Sequence, residues 1–223
     1  MAKIQKTPTA AFSSYYGCYI IAMAAFMFLG MIGWTAWSFF SQDRALSLIT
    51  QDQPLKMKDV PFSADQEKAL LARLAAFGEA AKAGNPGELS LTVDELNQIV
   101  RLAPDTGYGT YREIVRFTQT DSVKSQLKAE LCMPLKKARF WEGKFRYLVG
   151  EGVFLIEAKE EGVDAKLMDV KVPGKSVPEG FVNNLEVWPW IAPYRKQDPL
   201  GAMLKGIKKV SVTADGLTLS TVK

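Results

Sequence analysis

The sequence predicts an α+β protein: a single N-terminal transmembrane helix followed by an antiparallel β-meander domain with flanking helices. Residues 17–40 are apolar and carry no charged side chain. Two segments with helix-capping residues follow, and from about residue 113 apolar residues alternate with a period near two. The expected segments are a cytoplasmic tail at 1–16, the membrane helix at 17–40, a connector at 41–62 and an extracytoplasmic domain at 63–223.

The apolar stretch is long enough to cross a bilayer as a helix. At about 1.5 Å per residue it reaches roughly 36 Å, against a hydrocarbon core of about 30 Å. Backbone groups in lipid must bond within their own segment, so a helix is expected. Tyr15 and Tyr16 stand at its start and Trp34 and Trp37 near its end, and aromatic rings favour the two membrane interfaces.

Charges on either side of the stretch predict its orientation. The tail carries Lys3 and Lys6 and no acid, whereas Asp43 and Arg44 cancel on the other side. By the positive-inside tendency the protein is single-pass in the inner (cytoplasmic) membrane, with a cytoplasmic N-terminus and a periplasmic C-terminal domain. The alternative is a cleaved signal peptide, whose apolar region is about 7–15 residues long. This stretch is longer and ends in Trp and Phe, which favours an uncleaved signal-anchor.

Small residues line one face of the predicted membrane helix. At 100° per residue, six residues fall within about 80° of one another. They are Cys18, Ala22, Ala25, Leu29, Gly33 and Ala36. Small side chains let a second membrane helix approach closely, so we expect this face to pack against other membrane protein subunits. The alternative is that Ala and Gly are simply frequent in membrane helices.

Composition excludes several classes of protein. The chain has no histidine, which excludes Ser-His-Asp and Cys-His catalysis and nearly all zinc enzyme sites. Cys18 lies in the membrane stretch and Cys132 far along the chain, so no internal disulfide is expected. The net charge is +4, and Lys3 and Lys6 supply part of it, so the outer domain has no nucleic-acid signature. We predict no catalytic, cofactor-binding or metal-binding residues and no nucleic-acid partner.

The first half of the outer domain is predicted to be mainly helical. The connector can continue the membrane helix for a turn or two and should then be extended before Pro54 and Pro61. Ser63 and Gln66 form a capping box for a helix that ends at Gly84. The apolar face of this helix comprises Leu70, Leu71, Leu74 and Phe77.

A short strand at 88–91 precedes a second helix. Thr92 and Glu95 form its capping box. Asn97 lies one turn in, and we expect it to bond a neighbouring loop backbone. The residues expected to face the core are Leu96, Ile99 and Val100.

The second half of the outer domain is predicted to be a meander of three or four antiparallel strands. Alternation from Val123 to Cys132 places Val123, Leu127 and Leu131 on one face. Further strands are expected at 139–150 and 152–172, the latter segment a hairpin joined at Glu161-Gly162. The remaining elements are a helix with Pro178 at its first position, a short helix at 200–207 and a closing hairpin on Ala214-Asp215-Gly216.

An aromatic and basic segment follows Lys136. If it is extended, Arg139, Trp141, Phe145 and Tyr147 share one face. Such a face fits anionic lipid head groups or a protein interface, and we mark Arg139 and Trp141 as a candidate partner or lipid surface. The alternative is a core-facing aromatic row with a charged solvent face.

A second aromatic segment, at 187–195, is broken by two prolines. It contains Trp188, Pro189, Trp190, Ile191, Pro193 and Tyr194. Large apolar side chains between prolines do not all bury easily, and exposed aromatic clusters mark binding surfaces or membrane interfaces. We therefore add Trp188, Trp190 and Tyr194 to the candidate surface. The alternative is packing across the sheet.

The order of several motifs is recognisable. LSLTVDELNQIV is followed by a strand ending in Met133-Pro134-Leu135, then by GKFRYLVGEGVF, VKVPGKSVPEGFVNNL and KKVSVTADGLTLS. This order resembles a family of uncharacterised bacterial proteins that have one N-terminal membrane helix and an extracytoplasmic α+β domain. The resemblance covers about residues 64–222. Val149-Gly150-Glu151-Gly152 stands where that family usually has an Asn-Gly turn, so we expect a different turn here.

These features predict a non-enzymatic, membrane-anchored structural or accessory module, as a subunit of a larger membrane protein complex. The alternative is a lipid- or amphiphile-binding domain beside the membrane. The Leu-Thr-x-x-Glu-Leu-Asn element, at residues 91–97, is similar to one in membrane-anchored domains suspected of lipid handling. The alternative predicts an apolar groove between the sheet and a helix.

Overall fold

The computed structural model describes residues 14–101, 111–137, 143–160, 162–197 and 200–222. In chain order its elements are α1 (Ser14–Ile49), α2 (Ala64–Ala83), β1 (Glu88–Thr92), α3 (Val93–Arg101), α4 (Tyr111–Ile114), β2 (Val115–Asp121), β3 (Gln126–Lys136), β4 (Phe145–Lys159), β5 (Gly162–Lys171), α5 (Glu179–Glu186), α6 (Ala192–Arg195), α7 (Leu200–Gly206), β6 (Lys209–Val212) and β7 (Gly216–Ser220). The predicted α+β class with antiparallel strands is confirmed. The chain forms two compact units, Met1–Arg44 and Ala45–Lys223.

Helix α1 carries the long apolar stretch of the sequence. Its segment Tyr15–Ile49 is long and apolar enough to cross a membrane, which makes it a candidate span. The helix continues past Phe40 to Ile49, so the first part of the expected connector is helical. Large apolar side chains along it, such as Phe26 and Trp34, are exposed, which is typical of a lipid-facing helix.

The rest of the connector is part of the second unit and makes three separate contacts with other residues of that unit. Such contacts satisfy polar groups of an otherwise extended segment. They are a backbone pair between Gln51 and Tyr147, a hydrogen bond from Leu55 N to Cys132 Sγ at 3.2 Å, and one from Gln98 Nε2 to Val60 O at 3.2 Å.

Helix α2 begins and ends where the sequence predicts. Ser63 Oγ accepts a hydrogen bond from Gln66 N at 3.2 Å, and Gln66 Oε1 accepts one from Ser63 N at 2.9 Å. Gly84 ends the helix in the left-handed conformation, with φ of 69°. The predicted apolar face is buried except at Leu71, which is exposed. Leu71 follows Leu70 directly, so it lies about 100° away around the helix.

Strand β1 leads into helix α3, and the second capping box is also confirmed. Thr92 Oγ1 accepts from Glu95 N at 3.2 Å, and Glu95 Oε2 accepts from Thr92 N at 2.9 Å. Strand β1 pairs along its length with β7, which makes a three-stranded sheet of order β1-β7-β6. The closing hairpin, formed by β6 and β7, is confirmed. Strand β1 pairs with β7 and adds a third strand to the sheet.

The larger sheet is the predicted meander, in the order β2-β3-β4-β5. Lys159 pairs with Gly162, so β4 and β5 form the expected hairpin. Gly162 is already part of β5, and Glu161 lies outside the described residues. The turn expected at 149–152 is wrong, because β4 runs through these residues without interruption. Added Cβ atoms would meet backbone of β5 at Gly150 and the buried Leu131 and Leu167 at Gly152. These glycines therefore allow close packing inside a strand.

Two boundaries differ from prediction. Val123 is not in strand β3, which begins at Gln126; it lies in the preceding turn and is 93% exposed. Pro178 is not the first residue of helix α5 but its N-cap, with an extended φ of −61° and ψ of 131°. In both cases the residue pattern in the sequence begins before the first residue of the strand or helix in the structure.

Candidate functional site

An apolar cavity of about 120 Å³ lies within the second unit, between its two sheets. We call it the core cavity. Its walls come from β1, β2, β4, β5 and β7 and from helices α3, α4, α6 and α7. Side chains of Leu, Ile, Val, Phe, Met and Ala form most of the lining, with Trp190, Tyr111 and Tyr194 as the residues that carry a polar atom. Such a cavity suits a hydrocarbon group.

Aromatic rings form one wall of the core cavity. Trp190 packs edge-on against Phe154, with ring centroids 5.3 Å apart, and Tyr111 lies 5.9 Å from both Trp190 and Tyr194. Phe154 in turn packs edge-on against Phe117 at 5.7 Å. Each ring has few rotatable bonds, so the cluster holds a rigid surface that does not collapse into the neighbouring space.

The aromatic segment at 187–195 contributes to this wall and does not form the exposed cluster that its sequence predicts. Trp188 is 46% exposed, but Trp190 is 6% and Tyr194 7% exposed. A turn between Pro189 and Pro193 directs the chain inward: Trp190 N donates to Trp188 O at 2.9 Å, and Tyr194 lies in the short helix α6. The prolines thus create the turn that buries two of the three rings.

The other predicted site residues have different positions. Arg139 and Trp141 lie outside the described residues. The small-residue face, Cys18, Ala22, Ala25, Leu29, Gly33 and Ala36, lies on α1 in the first unit and is exposed. An added Cβ at Gly33 would meet nothing within 4 Å.

Polar groups at the core cavity are mostly satisfied by local partners. Tyr194 Oη donates to Val100 O at 3.3 Å. Burial raises the pKa of both tyrosines, and the side chain of Trp188 opposes this for Tyr111, so both hydroxyls keep their protons at neutral pH. Trp190 Nε1 is buried, and the described part of the chain gives it no hydrogen-bond partner.

A second cavity, of about 250 Å³, shares the residues Tyr111 and Trp190 with the first. We call it the side cavity. It lies beside the end of β3 and is also lined by Leu185 of α5 and by the half-exposed Trp188. Among the described lining residues Lys136 supplies the charge. The two cavities therefore share two aromatic residues of their walls. The lining of the core cavity is mostly apolar, and that of the side cavity includes a cation.

Asn97 fixes the position of helix α3 in the cavity wall. Its Nδ2 donates to Phe117 O at 2.9 Å, and its Oδ1 accepts from Phe117 N at 2.8 Å. The side-chain amide thereby makes the two backbone hydrogen bonds to Phe117 that a neighbouring strand would otherwise make. Phe117 lies at the register shift of β2 between Phe117 and Gln119. The predicted backbone bond of Asn97 is present, but its partner is an edge strand and not a loop. Leu96, Ile99 and Val100 of α3 line the core cavity.

Cys132 has the buried structural position that its sequence context predicts. It borders a more polar cavity of about 490 Å³ beside the connector. Its Sγ accepts the bond from Leu55 N, and burial raises the pKa of the thiol, with the Glu113 carboxylate adding to that effect. A protonated thiol is a poor nucleophile. The described residues contain no group of three or more His, Cys, Asp and Glu that could hold a metal ion.

Most of the cavity-lining residues carry no signal in the sequence. Alternation identifies Phe154 and Ala165 as inward-facing, but it does not show that the space between them is unfilled. Comparison with protein-family models, with curated proteins and with solved structures found no match.

Proposed function

We propose that this chain is a membrane-anchored, non-catalytic module whose outer domain binds one hydrocarbon chain of an amphiphile. The core cavity supports the proposal. Protein interiors hold few voids larger than a water molecule. Apolar side chains that face an unfilled space of about 120 Å³ lack the packing contacts that a filled core provides. A bound apolar group supplies those contacts.

The size of the cavities favours a single chain. An engineered cavity of about 150 Å³ binds benzene, and pockets for drug-sized ligands span roughly 300–1,000 Å³. The core cavity, at about 120 Å³, and the side cavity, at about 250 Å³, are each smaller than that range. A single acyl chain fits this space better than a two-chain lipid or a bulky ring system.

The candidate membrane span supports a lipid source for the ligand. Helix α1 would tether the second unit to a bilayer, where amphiphiles are concentrated. Lys3 and Lys6 before the apolar stretch, against the cancelling Asp43 and Arg44 after it, favour a cytoplasmic N-terminus and a periplasmic outer domain in the inner membrane.

The test is purification of the full-length chain from its own membranes in mild detergent, with mass spectrometry of lipids and proteins. We expect a single-chain amphiphile at about one per protein. Ala165 lines the core cavity, so Ala165→Leu should lose that amphiphile. The same substitution at Ala76, on the exposed face of α2, should retain it. No enriched amphiphile, or equal enrichment in the two variants, would contradict the proposal.

A second candidate is an accessory subunit of a larger membrane complex. The exposed small-residue face of α1 supports it, because such faces let membrane helices pack closely. The same purification then yields protein partners that survive washing. Ala25→Leu and Gly33→Leu should release them, and Ala24→Leu, on another face of the helix, should not. Unchanged association in all three variants would exclude this face as the interface.

A further inference from the structure

Trp190 has a buried hydrogen-bond donor that the protein does not satisfy within its described residues. Its side chain is 6% exposed, and Nε1 has no partner there. An indole N–H only donates, and buried donors in proteins are nearly always bonded. The neighbouring Tyr194 differs, because its hydroxyl donates to Val100 O at 3.3 Å.

A buried water is a poor partner for this donor. Buried waters usually make two to four hydrogen bonds with polar groups. Around Trp190 the core cavity is lined by hydrocarbon and aromatic rings, apart from two tyrosine hydroxyls. A ligand that brings its own acceptor oxygen satisfies the indole without this requirement.

The position of Trp190 indicates where that oxygen lies along the ligand. The ring belongs to the walls of both cavities. An acceptor bonded to it therefore lies where an apolar space meets one that Lys136 lines. Hydrocarbon on one side and a cation on the other match an amphiphile with a single chain and an anionic head.

We propose that the ligand is a carboxylate of the fatty-acid class, whose carboxylate accepts a hydrogen bond from Trp190 Nε1. Part of its chain occupies the core cavity, and its head faces the side cavity, where Lys136 supplies the complementary charge. This inference rests on the proposed function and adds the class of ligand and its polar anchor.

The experiment measures binding of laurate and of benzene to the full-length chain in phosphatidylcholine nanodiscs, with empty discs as blank. Benzene needs the apolar space alone. Trp190→Phe keeps an aromatic ring and removes the N–H. We expect laurate affinity to fall about tenfold or more in this variant, the usual size for a hydrogen bond to a charged group. Benzene affinity should stay within about twofold, because the hydrophobic term scales with buried apolar area.

Trp37→Phe is the matched control, because it removes an indole N–H on α1 that is not among the described lining residues of either cavity. We expect a much smaller loss of laurate affinity from it. Equal losses in the two variants, or laurate binding by Trp190→Phe at the wild-type level, would overturn the assignment of Trp190 and leave the cavity function standing. Wild type that binds benzene and not laurate would overturn the ligand class. Wild type that binds neither would overturn the proposed function and this inference together.

A spectroscopic readout on the wild-type chain does not depend on the folding of Trp190→Phe. The chain has 5 tryptophans, so each indole N–H signal can be assigned by elimination from the other four Trp→Phe variants. We expect laurate to move the Trp190 indole proton downfield, as a new hydrogen bond to a carboxylate does. An indole proton that keeps its position at saturating laurate would also overturn the inference.

Discussion

Replacing Ala165 by leucine measures how much room the core cavity offers. Ala165 lies on β5, is 5% exposed and lines the cavity. Leucine adds three carbon atoms, each worth about 0.8 kcal/mol when buried, or about 2.4 kcal/mol together. Fixing the new side chain costs about 0.5–1 kcal/mol of rotamer entropy. We therefore expect Ala165→Leu to raise the free energy of unfolding by about 1–2 kcal/mol.

Ala129→Leu is the control for the direction of this change in the free energy of unfolding. Ala129 lies on β3, is 1% exposed and is not among the residues that line the three cavities described above. Extra carbon atoms at a filled core position cost about 1–3 kcal/mol. The same chemical change should therefore stabilise the fold at one buried alanine and destabilise it at the other.

The assay is urea unfolding of the full-length chain in nanodiscs, followed by tryptophan fluorescence. The midpoints are compared at constant m-value, so that they report stability and not a change in exposed surface. Laurate binding is measured on the same samples and should fall at least tenfold in Ala165→Leu. A variant that is more stable and binds less cannot be explained by misfolding. If Ala165→Leu is destabilised to the same degree as Ala129→Leu, the cavity does not offer the space that we assign to it.

Three further substitutions test the parts of the fold that hold this site. Asn97→Ala leaves the N–H and C=O of Phe117 without their side-chain partners and should lower the free energy of unfolding, measured in urea, by about 2–3 kcal/mol. A loss below about 0.5 kcal/mol would contradict the stabilising role of these two hydrogen bonds. Gly152→Ala places a Cβ 2.6 Å and 2.8 Å from two buried leucine methyl groups and should cost about 1–3 kcal/mol, whereas a neutral result would show that β4 is not packed as described. The hydrogen bond from Lys137, together with its charge, lowers the pKa of Asp52, so Lys137→Met should return that pKa to the usual aspartate range in a carboxyl NMR titration. Because the folded-state pKa is the lower one, the stabilisation is present above the usual aspartate pKa of about 3.9 and is lost as pH falls through the folded value; an unchanged titration of Asp52 would exclude the ion pair.

Local signals in the sequence predict the starts of helices α2 and α3. Ser63 with Gln66 and Thr92 with Glu95 lie three residues apart, and each pair forms both bonds of a capping box. Their partners are within one helical turn, so no knowledge of the fold is needed. A meander of three or four antiparallel strands is also predictable, because consecutive strands joined by short turns usually pair; the strand order β2-β3-β4-β5 comes from the structure.

Long-range features are less accessible to the same reasoning. The pairing of β1 with β7 joins residues near 90 to residues near 218. No pattern in either segment identifies the other as its partner strand. Gly150 and Gly152 are expected in a turn because they stand where the resembling family usually has an Asn-Gly turn. Their actual role depends on side chains from β3 and β5 that approach the strand, which only the assembled sheet reveals.

The candidate site combines both kinds of feature. Trp190 and Tyr194 were marked by their residue type and by the neighbouring prolines, and both belong to the site. Of the two alternatives that the sequence leaves open, exposure and packing across the sheet, these two rings follow the second, because the turn at Pro189 directs them inward. The cavity itself is a difference between the space enclosed by two sheets and four helices and the volume of the side chains within it. Such a small difference between large quantities is not visible in residue patterns.

The central claim is that the outer domain holds an acyl chain in its core cavity, and photo-crosslinking tests it most directly. The full-length chain in nanodiscs is irradiated with a dodecanoate that carries a diazirine near the end of its chain, and labelled peptides are mapped by mass spectrometry. We expect the label on α3, β2 or α7, which line the core cavity, in wild type and in Ala76→Leu, and its loss in Ala165→Leu. Label confined to α1, or equal labelling of the cavity peptides in Ala165→Leu, would contradict the claim.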